Sequence, residues 1–188
     1  MTEYDEAWMT TFTGRKFHYL NPQPDEINIV DIAHHLSLLC RFTGAVSVFY
    51  SVAEHSIRVS ELVPQGLKLS ALLHDAAEAY INDISRPVKY THKLDVTEKI
   101  VMDAISRKFG ITPNVPVIKA ADNVLMATEA RDLMANTDSW APLPTPLPLK
   151  IVPMTSREAE TMFLYRLRKY YREAQNEETG ISRTPQIS

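Results

Sequence analysis

Apolar residues recur along this chain mostly at intervals of three and four positions, which is the period of an α-helix and not the two-residue alternation of a strand. Glycine, which interrupts helices, occurs only 5 times in 188 residues. That length suits one compact domain, and the cores of two domains would be cramped. The sequence therefore predicts an all-α fold in a single domain over 1–188, with its core over about 14–172 and a polar C-terminal tail.

Capping signals mark where several of these helices begin. Asn28 can accept a hydrogen bond from the first turn of one helix, and two pairs, Ser51 with Glu54 and Thr155 with Glu158, have the spacing of a capping box. The predicted helices span about 28–44, 51–64, 67–80, 94–109, 116–135 and 155–172. The first 27 residues are too mixed in pattern to assign to an element.

A proline-rich stretch separates the last two predicted helices. Between Trp140 and Pro153, prolines alternate with apolar residues, which favours an extended arm of polyproline II character before the C-terminal helix. Such an arm can wrap around its own domain, or it can face a partner and make the chain a helical interaction protein. We favour wrapping.

Charge and cysteine content narrow the environment of the protein. Twenty Lys and Arg against 23 Asp and Glu give a net charge of -3, so no overall attraction to nucleic acid or to an acidic membrane is expected. The single cysteine, Cys40, cannot form an internal disulfide. The acidic start with Glu3, Asp5 and Glu6 is wrong for a signal peptide, and no stretch of about 18 apolar residues occurs. We expect a cytoplasmic protein without a membrane partner or a stable nucleic-acid partner.

Histidines and aspartates interrupt three apolar helix faces. His74 and Asp75 lie within an apolar segment, where a charged carboxylate needs a cation, and a divalent metal is the simplest one. Taken alone, the pair is more often a surface Asp beside a core His. His55 and Asp122, however, also fall on inward faces. Two imidazoles and two carboxylates without a thiolate predict a site for one divalent Mn, Fe, Co, Ni or Zn ion.

Two further carboxylates follow His74. Glu78 is one helical turn beyond it on the same face, so it can approach the metal site without being a ligand, as a general acid or base would. Asp83 comes next, in a segment of turn residues. It can position water or protonate a leaving oxygen, or it can be an ordinary turn or cap residue.

The spacing of these residues resembles a known family. His55, then His74 with Asp75, then Asp122 are similar to the H…HD…D signature of HD-domain metal-dependent phosphohydrolases. In the same comparison, Glu78 and Asp83 match the H-D-x-x-E-x-x-x-x-D extension of that family. The resemblance implies a compact helical HD-domain fold, in which the first four residues hold the catalytic ion and the last two serve the water and the leaving group.

The resemblance covers about 14–133. Leu-Cys-Arg-Phe-Thr-Gly at 39–44, Tyr-Ser-Val-Ala-Glu-His-Ser at 50–56 and Pro-Val-Lys at 87–89 look like bacterial 5'-deoxynucleotidases. Thr-Gly-Arg-Lys-Phe at 13–17, Asp-Ile-Ala at 31–33 and Thr-Glu-Ala-Arg-Asp at 128–132 are closer to compact phage and prophage HD proteins, which include dATP triphosphohydrolases. A phage-encoded chain would act in the host cytoplasm, and the resemblance also implies a homo-oligomer.

Phosphate recognition requires cations near the ion. Arg41 falls where the 5'-deoxynucleotidases carry a phosphate-binding arginine, and a guanidinium can bind a phosphate through two parallel hydrogen bonds. Lys89, Lys119, Arg15 and Lys16 are further candidates, although for each an ordinary solvated surface charge is nearly as good an interpretation. Among the aromatic residues, Phe42, Tyr80 and Trp140 are candidates for stacking on a base, but aromatic residues at helical spacing usually belong to the core, and none is assigned to the site.

The predicted function is metal-dependent nucleotide hydrolysis, with activated water attacking phosphorus. The preferred substrate is a deoxynucleoside triphosphate, dATP by resemblance, which is split at the α-phosphorus into deoxynucleoside and triphosphate, with additional Mg bound to the triphosphate. The extra cations Arg15, Lys16 and Lys119 favour this substrate over the alternative, a deoxynucleoside monophosphate. A non-catalytic nucleotide-binding regulator is the alternative of another class, and the presence of Glu78 and Asp83 argues against it.

Overall fold

A computed structural model describes residues 7–138 and 140–179 of the chain. These residues form eight α-helices and one two-stranded antiparallel sheet, so the predicted all-α fold is confirmed. The strands are β1 (Met9–Thr10) and β2 (Lys16–Phe17). The helices are α1 (Ile29–Leu38), α2 (Val52–Glu61), α3 (Lys68–Leu72), α4 (Glu78–Ile81), α5 (Arg86–Thr91), α6 (Leu94–Phe109), α7 (Pro116–Leu133) and α8 (Ser156–Thr179).

The predicted caps lie at the starts of α1, α2 and α8. The side chain of Asn28 accepts a hydrogen bond from the backbone N–H of Val30 at 2.9 Å, and Ser51 accepts one from the N–H of Glu54 at 3.1 Å. At the start of α8 both halves of the capping box form, since Thr155 and Glu158 each accept from the backbone N–H of the other. Each cap satisfies a donor that the helix itself leaves unpaired.

Two predicted helices are shorter than expected. The first ends at Leu38 and not near Gly44, because the chain turns at Arg41–Gly44 with Phe42 and Thr43 in the left-handed region at φ 54° and 55°. The helix predicted over 67–80 is divided into α3 and α4 by consecutive turns at 73–77. There the backbone bonds join residues three apart, as from Glu78 N–H to the carbonyl of Asp75 at 3.0 Å, which is tighter than the α-helical spacing.

Some elements were not predicted. Helix α5 follows directly on the turn segment that contains Asp83, and Pro87 lies in its first turn, where the missing N–H of proline is not needed. The β1–β2 hairpin lies in the unassigned first 27 residues and pairs Met9 with Phe17. Helix α8 continues beyond Arg172 to Thr179, and the rest of the predicted tail lies outside the described residues.

The core consists of two clusters with α2 between them. One cluster joins α8 to α1 and α2 through Phe163, Leu167, Leu36 and Ile57, which are essentially excluded from solvent. The other packs Val59 of α2 against α7 and the segment that precedes α8; its buried members include Tyr50, Ile118, Leu125, Leu133 and Ile151. Because α2 is covered on both sides, its polar residues Glu54, His55, Ser56 and Ser60 are buried as well.

The proline-rich arm is fastened along α7. Arg131 donates to the carbonyls of Leu147 and Leu149 at 2.7 and 2.6 Å, and Asp132 accepts from the backbone N–H of Ile151 at 2.8 Å. These bonds satisfy backbone groups of an extended segment that has no ladder of its own. The arm therefore lies against its own domain, which is the arrangement that wrapping requires.

Among the described helices, none combines the length and the apolar character needed to cross a bilayer. The acidic residues at the N-terminus, Glu3, Asp5 and Glu6, lie outside the described residues.

Candidate active site

Four of the predicted ligands converge from three parts of the fold. His55 comes from the middle of α2, His74 and Asp75 from the turns between α3 and α4, and Asp122 from the first half of α7. The Nε2 atom of His55 lies 3.4 Å from Nε2 of His74, 3.5 Å from a carboxylate oxygen of Asp75 and 3.3 Å from one of Asp122. These side chains form one cluster around Nε2 of His55, in which His55, His74 and Asp75 are mutually close and Asp122 joins through its contact with His55.

Each imidazole is anchored through its other nitrogen. Nδ1 of His55 lies 2.6 Å from a carboxylate oxygen of Glu129, and Nδ1 of His74 lies 2.8 Å from the carbonyl oxygen of Ala71. Both acceptors favour a proton on Nδ1, so Nε2 is the nitrogen of each ring that faces the cluster and can bind a metal once it carries no proton. The ligand atoms of His55, His74 and Asp75 all lie within 4.8 Å of one another. This nitrogen and oxygen donor set fits a divalent transition metal.

Glu129 and its neighbours control the charge of His55. Burial and the charge of Arg41 lower the pKa of His55, whereas Glu129 and Asp122 raise it and prevail, giving a pKa of about 9. Burial opposes the ionisation of Glu129 itself, but Arg41 and His55 hold the pKa of this carboxyl below its ordinary value. The buried carboxylate therefore remains charged beside the imidazole.

The two aspartates of the cluster are ionised. Burial would raise the pKa of Asp75, but His74, His55 and Arg41 outweigh it and hold the pKa well below the ordinary value. Burial would also raise the pKa of Asp122, but a hydrogen bond donated by His55, the charges of the two imidazoles and a hydrogen bond from Lys119 lower it below the ordinary value. Two carboxylates that stay charged in a largely buried cluster give it the negative charge that a cation needs.

Glu78 lies at the edge of this cluster, and its pKa is shifted in the opposite direction from those of the two aspartates. Its side chain is 6% exposed, one of its carboxylate oxygens has no hydrogen-bond partner among the described residues, and the other is 4.0 Å from Nζ of Lys89. Burial, together with the charges of Asp75 and Asp83, raises the pKa of Glu78 well above its ordinary value. A carboxyl group that holds its proton readily beside ionised neighbours is suited to proton transfer.

Asp83 has a structural contact as well as access to the cavity. Its carboxylate accepts a hydrogen bond from the backbone N–H of Phe42 at 3.0 Å. This bond supports the turn in which Phe42 and Thr43 are left-handed, a conformation that non-glycine residues rarely adopt. The cap role of Asp83 is therefore present, and the side chain also lines the cavity beside Glu78.

The cluster opens into a cavity of about 1010 Å³ between α5, α7 and the arm. Three predicted cations line it. Arg41 lies with Nε 3.2 Å from Glu129 and a terminal nitrogen 3.5 Å from Asp75. Lys89 pairs with Glu98 at 2.7 Å, and Lys119 pairs with Asp122 at 2.6 Å.

The other two predicted cations, Arg15 and Lys16, do not line the cavity. Arg15 donates to the carbonyl of Asp25 at 3.3 Å, and Nζ of Lys16 lies 4.3 Å from the centre of the Trp8 ring. Both follow the turn of the β1–β2 hairpin, and these local partners hold them there. Their expected contact with phosphate is not supported by their position.

The aromatic candidates also separate. Phe42 and Trp140 both line the cavity, with ring centroids 6.0 Å apart and planes inclined by 45°. Tyr80 instead is buried and stacks on Phe17 with centroids 3.7 Å apart. Two aromatic rings thus line the cavity, with the guanidinium of Arg41 lying over the Phe42 ring at 5.0 Å from its centroid, and the third ring belongs to the core.

Sequence reasoning missed Glu129 and Arg86 as site residues. Glu129 lies two helical turns beyond Asp122, on the same side of α7. It is a charged residue between the buried apolar residues Leu125 and Leu133, four positions from each. That interruption is the same signal that identified Asp122. Arg86 lines the cavity from α5, which was not predicted as a helix, so its position could not be inferred.

The chain is similar to two curated proteins, both described as uncharacterized. It is 40% identical over 168 residues to YfdR of Escherichia coli strain K12, an alignment that covers 85% of this chain and 93% of that protein. It is 34% identical over 152 residues to a protein of Rhodobacter capsulatus, covering 72% of this chain and 77% of the relative. No protein-family model matches the chain.

Proposed function

This chain belongs to the family that includes YfdR of Escherichia coli, and we propose that it is a metal-dependent nucleotide phosphohydrolase. One observation carries the proposal. Two imidazole nitrogens and two ionised carboxylates meet at the edge of a cavity whose walls also hold cations and two aromatic rings. A site of this kind suits an anionic, aromatic ligand next to a divalent ion.

In this proposal His55, His74, Asp75 and Asp122 hold one divalent Mn, Co, Fe, Ni or Zn ion. When bound, such an ion supplies Lewis acidity, which lowers the pKa of water and polarises a phosphoryl oxygen. The four side chains are suited to this task because their second contacts already fix them, as with Glu129 behind His55 and the carbonyl of Ala71 behind His74.

The other residues of the site divide the remaining work. Arg41 and Lys89 stabilise negative charge that develops on the phosphate. Lys119, on α7, is the third cation that lines the cavity, and these three residues form its cationic wall. Glu78 transfers a proton, since it is buried beside the cluster and its pKa is raised. Asp83 assists the leaving group and at the same time keeps the turn at Phe42 in place.

The proposed substrate is a deoxynucleoside triphosphate that yields deoxynucleoside and triphosphate, with Mg accompanying the polyphosphate. A cavity of about 1010 Å³ accommodates a ligand of that size, and dATP is proposed from the family resemblance alone. The second candidate is a deoxynucleoside monophosphate, because two of the three cations that favoured a triphosphate, Arg15 and Lys16, lie away from the cavity.

A product screen tests the proposal. Purified protein is incubated with each deoxy- and ribonucleotide, as mono- and triphosphate, with Mn, Co, Mg or Zn and with a chelator control. We expect chelator-sensitive release of triphosphate from a deoxynucleoside triphosphate, and phosphate release from monophosphates would select the second candidate. Metal and nucleotide binding without any product would favour the non-catalytic regulator. The proposal also includes a homo-oligomer and a cytoplasmic location. Light scattering, which measures the mass of the particle in solution, tests the oligomer.

A further inference from the structure

We propose that Glu129 is a positioning residue that fixes the metal-binding face of His55 and is itself held in place by Arg41. The inference rests on the proposed metal site, but it concerns a residue that lies outside the ligand set. Glu129 is entirely excluded from solvent, and both of its carboxylate oxygens are engaged. One lies 2.6 Å from Nδ1 of His55, and the other accepts a hydrogen bond from Nε of Arg41 at 3.2 Å.

The geometry gives each oxygen a separate task. The oxygen that faces His55 accepts the Nδ1 proton and so holds the ring in the orientation that places Nε2 3.5 and 3.3 Å from carboxylate oxygens of Asp75 and Asp122. A carboxylate behind an imidazole also increases the basicity of the nitrogen on the opposite side of the ring. The oxygen that faces Arg41 prevents rotation of the carboxyl group and balances its buried charge.

Glutamine cannot replace this arrangement, although it has the same shape. If its carbonyl accepts from His55, its NH₂ group faces the N–H of Arg41, and two donors oppose each other. If its carbonyl accepts from Arg41, its NH₂ group faces Nδ1 of His55 and favours the tautomer with the proton on Nε2. Either orientation removes the negative charge behind the ring, so the metal site is weakened in both.

The test compares metal affinity in the Glu129→Gln variant and the wild type. Mn²⁺ or Zn²⁺ alone is titrated calorimetrically into metal-free full-length protein, and no nucleotide is needed. We expect affinity to fall about 10- to 100-fold, the range found when a carboxylate behind a metal-bound histidine is removed. Glu129→Asp keeps the charge, and we expect it to recover part of the loss. It also serves as the second variant if Glu129→Gln does not fold.

The matched control is Asp31→Asn on α1. Asp31 is also a fully buried carboxylate, and it accepts hydrogen bonds from the backbone N–H and the hydroxyl of Thr13 at 2.7 and 2.9 Å. This variant should lose thermal stability but keep the wild-type metal affinity. A merely structural role for Glu129 predicts the same pattern for Glu129→Gln, and that result would overturn the inference.

The outcomes separate the inference from the function on which it rests. A wild-type chain that binds Mn²⁺ or Zn²⁺ but hydrolyses no nucleotide would contradict the proposed hydrolase and leave the role of Glu129 standing. If the Glu129→Gln variant binds the metal as tightly as the wild type does, the role of Glu129 is overturned and the proposed hydrolase is not affected. If the wild type binds no divalent metal, both fail.

Discussion

Replacing Glu78 with glutamine should separate catalysis from metal binding. The change keeps the volume of the side chain and removes its ability to give or take a proton. The substitution breaks no short contact of the side chain, since one carboxyl oxygen of Glu78 has no hydrogen-bond partner among the described residues and the other is 4.0 Å from Nζ of Lys89. Burial and the charges of Asp75 and Asp83 raise the pKa of Glu78 well above its ordinary value, so a neutral glutamine suits the same surroundings.

The expected magnitudes follow from these contacts. The free energy of unfolding should stay within about 1 kcal/mol of the wild type or increase, because no short hydrogen bond of Glu78 is broken. Bound metal should be unchanged, since Glu78 is not one of the four ligands. The hydrolysis rate should fall about 10²- to 10⁴-fold, which is the usual contribution of a general acid or base.

The assay measures three quantities on the same preparation of Glu78→Gln: metal content by mass spectrometry, unfolding in urea, and kcat for the substrate that the product screen identifies. Glu54→Gln is the matched control. Glu54 is also fully buried, but it accepts from Arg58 at 2.7 Å and from the backbone N–H of Met154 at 2.7 Å. It should lose about 1 to 3 kcal/mol of stability and keep its kcat. A Glu78→Gln variant with kcat within threefold or so of the wild type would refute the proton-transfer role.

Three further predictions concern metal binding, a helix cap and the arm. His74→Ala should remove both retained metal and turnover, as measured by metal analysis and product release, whereas wild-type metal content in this variant would exclude His74 as a ligand. Asn28→Ala should cost about 1 kcal/mol of unfolding free energy and lower Tm by about 2 to 4 °C in calorimetry, because the N–H of Val30 loses its acceptor. Arg131→Ala should loosen the arm and speed trypsin cleavage after Lys150 several-fold, since the bonds to two arm carbonyls are lost and only the backbone N–H bonds to Thr128 and Asp132 remain. Unchanged cleavage would show that Arg131 does not fasten the arm.

Local signals in the sequence predicted the helices whose ends depend on local bonds. The caps at Asn28, Ser51 and Thr155 act within a single turn, so the residues that form them are near one another in the sequence. The break at 73–77 could not be predicted in this way. The apolar pattern continues through these positions, so the sequence indicates one unbroken helix there. Contacts between distant parts of the chain instead favour the turns, which place the imidazole of His74 in the cluster.

The candidate site shows the same division. A polar residue on a buried face of a helix is visible from periodicity, and this identified His55 and Asp122, which lie within 3.3 Å of each other. Which cations join them depends on how the helices pack. Arg15 and Lys16 lie on the hairpin, away from the cavity, whereas Arg86 reaches it from a helix that the sequence did not reveal. Which cations line the cavity therefore depends on long-range packing, and the spacing of residues along the sequence does not encode that packing.

The central claim is that His55, His74, Asp75 and Asp122 bind one divalent ion. Its most direct test is a crystal structure of the metal-loaded protein, with anomalous scattering measured at the absorption edge of the bound element. We expect a single strong anomalous peak within about 2.0 to 2.3 Å of Nε2 of both histidines and of a carboxylate oxygen from each aspartate. An anomalous peak elsewhere, or no peak among these four side chains in a protein saturated with metal, would contradict it.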